Sequence, residues 1–271
     1  EGLKYLYLDD NKIYGCIPSD IGKMSNLVVL SMGQTYLSGE IPDELYDCTN
    51  LHTIDLGHYH MNALGEHFDK TYIPNYKGLS GVLSEKIANL TKLTVLGLGD
   101  NDLSGEIPSA ITKCVNLENL YLSDNRFSGA IPTNIGDLQN LTYLELSGNS
   151  LSGAIPPSLW SLTAMRNLLL AGGSTLNGSP TGQPQGTNLF TGELPEEIGN
   201  MVNLQQLYIT DTNMTGSLPN AMLDLPQLND CLLTGNRFSG ILSKAFTNTV
   251  WWSDGRILSQ QYGYGLTVEG E

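Results

Sequence analysis

The sequence predicts a repeat solenoid, with one parallel β-sheet on its concave face and short 3-10 or irregular helical segments on its convex face. Three observations predict it. The chain has a 24-residue period, a glycine once per period, and apolar residues spaced for a short strand at the start of each period. Units of the same phase start at Leu3, Leu27, Leu51, Leu93, Leu117, Leu141, Met165, Leu204 and Leu228. The spacing is 24 except before Leu93 and Leu204, where it is 42 and 39. Nine units therefore share one ruler, and two are stretched by 18 and 15 residues.

Each column of the repeat has a physical reading. The stretch Leu117-Glu118-Asn119-Leu120-Tyr121-Leu122 is typical: its leucines point inward from a short strand and the residues between them point out. One unit cannot bury its own apolar side, so units stack and share a core. Asn11, Asn101, Asn125, Asn149 and Asn236 fill the column just after the strand, where a buried amide can bond the backbone of neighbouring turns. Gly15, Gly39, Gly81, Gly105, Gly129, Gly153, Gly192, Gly216 and Gly240 form the glycine column, read as a place where a side chain would block the turn. Three residues later comes proline, except at Ser84 and Ser243, which suits a convex segment because proline fixes φ and needs no donor.

These columns closely resemble the plant-type leucine-rich repeat, L-x-x-L-x-L-x-x-N-x-L-x-G-x-I-P-x-x-(I/L)-G-x-L. Leu103-Ser104-Gly105-Glu106-Ile107-Pro108 and Leu151-Ser152-Gly153-Ala154-Ile155-Pro156 carry its subtype mark. The chain is similar in this respect to receptor-kinase ectodomains and polygalacturonase-inhibitor-like proteins. The resemblance implies an extracellular or cell-surface location and a cap with paired cysteines ahead of the first unit. Because the chain starts inside a repeat, a fragment of a longer protein is expected. The solenoid is expected over residues 1–250, with insertions at about 59–78 and 172–189, and a degenerate cap or linker over 251–271.

Composition excludes several classes. The 271 residues carry a net charge of −15, which disfavours nucleic acid and anionic lipid. No apolar run is long enough to span a membrane. Phosphate-loop, G-x-S-x-G and H-E-x-x-H motifs are missing, so no enzyme and no cofactor are expected. Cys48, Cys114 and Cys231 occupy apolar columns and read as buried hydrophobes, while Cys16 reads as a free surface thiol. The sequons at Asn89, Asn140, Asn177 and Asn213 are candidate glycosylation sites, in about the number chance gives for this composition.

Two regions are candidates for ligand contact. On the concave face, Tyr7, Asp55, Glu118, Tyr121, Tyr143, Glu145 and Tyr208 stand at outward positions, and tyrosine is enriched at binding surfaces. The first insertion holds Tyr59, His60, His67, Tyr72 and Tyr76, and both insertions leave the solenoid at the same phase. His58, His60 and His67 are weak metal candidates, because no recognised ligand spacing accompanies them. The reading is an extracellular module that binds a protein, peptide or glycan. The rivals are a structural or adhesive subunit that packs with neighbours in an assembly, and an ice-binding surface. Ice binding is disfavoured because Thr53, Thr94, Thr142 and Thr210 do not share one column.

Overall fold

A computed structural model of the chain describes residues 2–58, 78–173, 187–252 and 265–270. Nine three-residue strands form one parallel sheet: Tyr5–Tyr7, Val29–Ser31, Thr53–Asp55, Val95–Gly97, Asn119–Tyr121, Tyr143–Glu145, Asn167–Leu169, Gln206–Tyr208 and Asp230–Leu232. They are the rungs of the concave face, numbered one to nine in chain order. Successive rungs pair in register at an offset of 24 residues, as Leu120 pairs with Leu144. The offset becomes 42 where Ile54 pairs with Leu96 and 39 where Leu168 pairs with Leu207. Both insertions are thus absorbed without a slip of register.

The middle residue of each rung points inward. Leu30, Ile54, Leu96, Leu120, Leu144, Leu168 and Leu207 are buried and join one continuous core running the length of the solenoid. On the convex side short 3-10 segments such as Asp43–Asp47, Ser109–Lys113 and Glu196–Asn200 each follow a proline. Where Ser84 and Ser243 replace that proline, the serine hydroxyl accepts from Lys86 N–H and Ala245 N–H, capping the segment instead.

A second parallel sheet, not expected from the sequence, runs beside the first. Its seven strands are Gly39–Glu40, Leu79–Val82, Asp102–Glu106, Arg126–Gly129, Ser150–Ala154, Leu189–Glu193 and Asn213–Thr215. Residues of the L-x-G-x column build it, and every glycine of that column has a positive φ, between +76° and +124°. Gly153 has φ +87°, and a Cβ there would meet nothing closer than 3.9 Å. Positive-φ backbone geometry therefore selects glycine along the column, and at Gly81 and Gly216 a Cβ would also crowd the Glu40 and Glu193 side chains.

The asparagine column ties the two sheets together. Asn149 is fully buried. Its amide group donates to the carbonyls of Leu122, Leu146 and Ser147, and its Oδ1 accepts from Phe127 N–H in the preceding unit. Asn101 and Asn125 repeat the pattern. In the seventh unit Asn188 does so, bonding Leu146 O, Ala171 O and Leu151 N–H. Asn188 thus already holds its place in the asparagine column on the far side of the second insertion. A lateral ladder of exposed asparagines joins units along the edge ahead of the rungs. Asn50, Asn116, Asn140 and Asn203 donate to Ser25 O, Thr91 O, Val115 O and Thr163 O.

The four cysteines are free. Cys48 and Cys114 are buried and donate to Ile21 O and Ile87 O at 3.3 Å, Cys231 is buried, and Cys16 is exposed. Beyond the ninth rung, Trp251 is buried against Phe246 with rings edge-on at 5.9 Å. Leu266–Val268 pairs in parallel with Gly240–Leu242.

Asn149→Ala should cost about 3 kcal/mol, because it leaves several buried backbone groups without partners. Asn11, exposed and bonded within its own turn to Leu8 O and Asp9 O, should tolerate alanine within about 0.5 kcal/mol. Thermal melts of the two variants check the contrast. Native-state thiol titration should modify Cys16 quickly, with the three buried thiols reacting only on unfolding; burial pushes the Cys114 thiol up to about 12.

Candidate functional site

The concave face is built from the two outward positions of each rung. Across nine rungs they carry five tyrosines (Tyr5, Tyr7, Tyr121, Tyr143 and Tyr208) and three carboxylates (Asp55, Glu145 and Asp230), with no Lys or Arg. The strand pleat sets this display, since the neighbours of each inward leucine must point to the concave side.

Rungs five and six form its densest part. The Tyr121 and Tyr143 rings lie 4.7 Å apart and tilted by 42°. Glu145 is only 8% exposed beside them. Burial, then the Glu145 charge, pushes both phenols above their ordinary value, with Asp55 adding to the effect at Tyr121. On rung eight the Tyr208 hydroxyl donates to Asp230, and Gln206 Nε2 reaches the same carboxylate oxygen at 3.4 Å. Asn167 on rung seven donates to Gln206, so polar side chains link rungs seven to nine.

Rung three carries Asp55, whose Oδ1 accepts from Gly57 N–H at 3.2 Å. Asp9, at the end of rung one, accepts from Ser31 Oγ at 2.7 Å and Gly33 N–H at 2.9 Å. Gly33 lies between the two carboxylates: a Cβ there would stand 3.4 Å from Asp9 Oδ1 and 3.5 Å from Asp55 Oδ1. Burial raises Asp55 to about 6; the Asp9 charge adds to this and the Gly57 N–H opposes it.

The candidates named from the sequence fall in different places. Asp55, Tyr121, Tyr143, Glu145 and Tyr208 lie on the concave face over rungs three to eight. Tyr7 is exposed on the face at rung one, four rungs from Tyr121. Glu118 sits just before rung five, exposed at the margin of the sheet. Tyr59, His60, His67, Tyr72, Tyr76 and Asn177 lie outside the described residues. His58 is buried, with Nδ1 3.0 Å from Asp100 O and Nε2 2.7 Å from Thr35 O. Its two ring nitrogens bridge units two and four at the point where the first insertion interrupts the asparagine column. Asn89 is exposed, Asn140 is exposed with its amide in the lateral ladder, and Asn213 is half-buried in the second sheet. Among the described residues there is no cluster of metal-ligating side chains. Sequence reasoning missed Asp9 and Asp230; comparing each outward column across all nine units would have found Asp230.

Comparisons with known proteins agree with this architecture. Two leucine rich repeat family profiles match, one over residues 115–173 and the other over 2–24 and 92–114. No curated protein matches at the sequence level. Among solved structures, the chain is similar to the LRR ectodomain of the plant membrane receptor kinase GASSHO1/SCHENGEN3 from Arabidopsis thaliana, solved with CASPARIAN STRIP INTEGRITY FACTOR 2. That match has a TM-score of 0.71 and 30% identity, over 98% of this chain and 30% of the other. The Arabidopsis receptor kinase HAESA ectodomain, in complex with an N-terminally extended IDA peptide hormone ligand, matches with TM-score 0.74 and 28% identity over 99% of this chain and 42% of that one. A TDR receptor matches with TM-score 0.74 and 30% identity, over 91% and 37%. The chain thus spans less than half the length of each of these receptors. No helix among the described residues is long and apolar enough to cross a membrane.

The Asp55 geometry gives a testable sign. A carboxyl whose folded pKa is raised holds its proton more tightly in the folded chain. Stability therefore falls as pH rises from about 4 to about 6, and the cost persists at neutral pH. Asp55→Asn should leave the melting temperature unchanged below pH 4 and raise stability at pH 7 by no more than about 3 kcal/mol. Calorimetric melts at the two pH values check it.

Proposed function

The chain is a plant-type leucine-rich repeat protein similar to receptor-kinase ectodomains, and from that premise we propose that it is an extracellular recognition module binding a peptide or protein ligand on its concave face. One observation carries the reading: the outward positions over rungs three to nine hold closely paired tyrosines and desolvated carboxylates. A solvated sheet face has no need of buried charge, and buried ionisable groups concentrate at binding and catalytic sites. Tyrosine supplies rigid contact area with a polar tip at small entropic cost. The ligand-bound receptors named above support the choice of a peptide. The module is non-catalytic in this reading, acting by holding its ligand rather than transforming it. The two insertions leave the solenoid at the same phase of units three and seven, so their bases flank the rungs between, and the proposed contact surface includes them.

Selection of a random peptide library on the chain tests this. Enriched peptides should bind the Tyr121→Ala/Tyr143→Ala variant at least about tenfold more weakly than the parent, because two central aromatic anchors are removed. Circular dichroism confirms that the variant is folded. Equal binding to both proteins would place recognition elsewhere.

A further inference from the structure

The three concave carboxylates are evenly spaced along the sheet. Asp55, Glu145 and Asp230 stand on rungs three, six and nine, so three rungs separate each from the next. Rungs of a parallel sheet lie about 4.8 Å apart, which makes each interval about 14 Å along the solenoid. An extended peptide advances about 3.3 Å per residue, so four residues cover one interval, and residues four apart point to the same side. Asp230 occupies the first outward position of its rung, whereas Asp55 and Glu145 occupy the second. The offset is two residues, about 7 Å along the strand, and the flexible four-carbon stem of lysine can follow it.

We propose that the concave face takes an extended peptide segment with Lys or Arg at every fourth residue, its cations seating on Asp55, Glu145 and Asp230. The segment runs across the rungs. The proposal rests on the concave-face reading above and adds the chemistry of the ligand.

The charges on the face point one way. Its outward positions hold no cation, and the nearest basic side chains of the rungs, Lys4 and Arg166, stand exposed at the margin. The whole chain carries −15. The surroundings also suit ammonium and guanidinium groups. On rung four Gly97 places no side chain between Asp55 and Tyr121. The paired Tyr121 and Tyr143 rings border Glu145, and a cation paired with that carboxylate also meets their faces. At rung nine, Tyr208 and Gln206 hold the Asp230 carboxylate in place. Burial makes Asp55 hard to ionise, and a counter-cation offsets that cost. The twenty-four-residue ruler keeps all three carboxylates at fixed separations, so spacing along the ligand, and not charge alone, governs recognition.

The test uses two synthetic peptides of equal length and composition in an uncharged polar background, with the complete 271-residue chain. One bears lysines at i, i+4 and i+8; the other bears them at i, i+3 and i+6, so that the middle lysine faces away. Fluorescence anisotropy at low ionic strength should show the first binding at least about tenfold more tightly. Asp55→Asn and Glu145→Gln should each weaken it about threefold to tenfold. Asp224→Asn, an exposed charge on the convex side, should leave it unchanged. Equal binding of the two peptides overturns the proposal, and so does equal loss with Asp224→Asn, since either result means attraction to net charge alone. The library selection separates this from the wider reading. Peptides that depend on Tyr121 and Tyr143 but carry no four-residue spacing of Lys or Arg leave the concave reading standing and sink the cationic one. Peptides indifferent to both tyrosines sink both.

Discussion

The solenoid depends on the buried asparagine amides that follow five of its rungs, at Asn101, Asn125, Asn149, Asn188 and Asn236. One side chain, such as Asn125, donates to carbonyls of its own unit and the unit before, and accepts from a backbone N–H of the second sheet. The chain must turn sharply there, and the turn strands carbonyls inside the molecule, where an unmet polar group costs about 1–3 kcal/mol. The amide satisfies them from within the fold. Leucine stacking, the regular rung spacing and the display of side chains on the concave face all require that turn to close identically in successive units. Where the column lacks asparagine, other groups take over: Thr35 bonds Met32 O, and the His58 ring spans the gap left by the first insertion.

Much of this was legible in the amino-acid order, because the repeat turns physical requirements into columns. The inward leucines, the asparagines and the free cysteines could be placed by phase alone. The second sheet could not. Its strands are two to five residues long and bond only to neighbouring units, so they leave no alternating pattern to read. Asn188 was hidden for a different reason: fifteen extra residues displaced it from its column, and a polar residue at the end of a Gly- and Ser-rich stretch looks like loop. His58 read as a polar or metal-ligating group, since nothing in its neighbours in sequence announces that Thr35 and Asp100 carbonyls enclose it. Of the candidate site, the tyrosines were visible, whereas the coupling of Asp9 to Asp55 arises only when units one and three are brought to either side of Gly33.

The same residues that make the face suited to recognition cost it stability. Asp55 is desolvated beside a second carboxylate, and Glu145 is buried among phenols. A chain selected for stability alone would hold neutral residues at these positions, and proteins commonly trade stability for function in this way. In the core, by contrast, polar groups such as Asn101 and Asn149 are satisfied several times over.

Register across the stretched units bears on engineering. Rungs three and four, and rungs seven and eight, pair with the same geometry as units that carry no extra residues. The framework reads only where a segment departs and returns, and is indifferent to the length between. The departure points after His58 and after Gly173 are therefore natural splice ports. Foreign loops, fluorophore tags or whole small domains could be grafted there, projecting from one rim, while the ribbon of rungs beneath keeps its spacing.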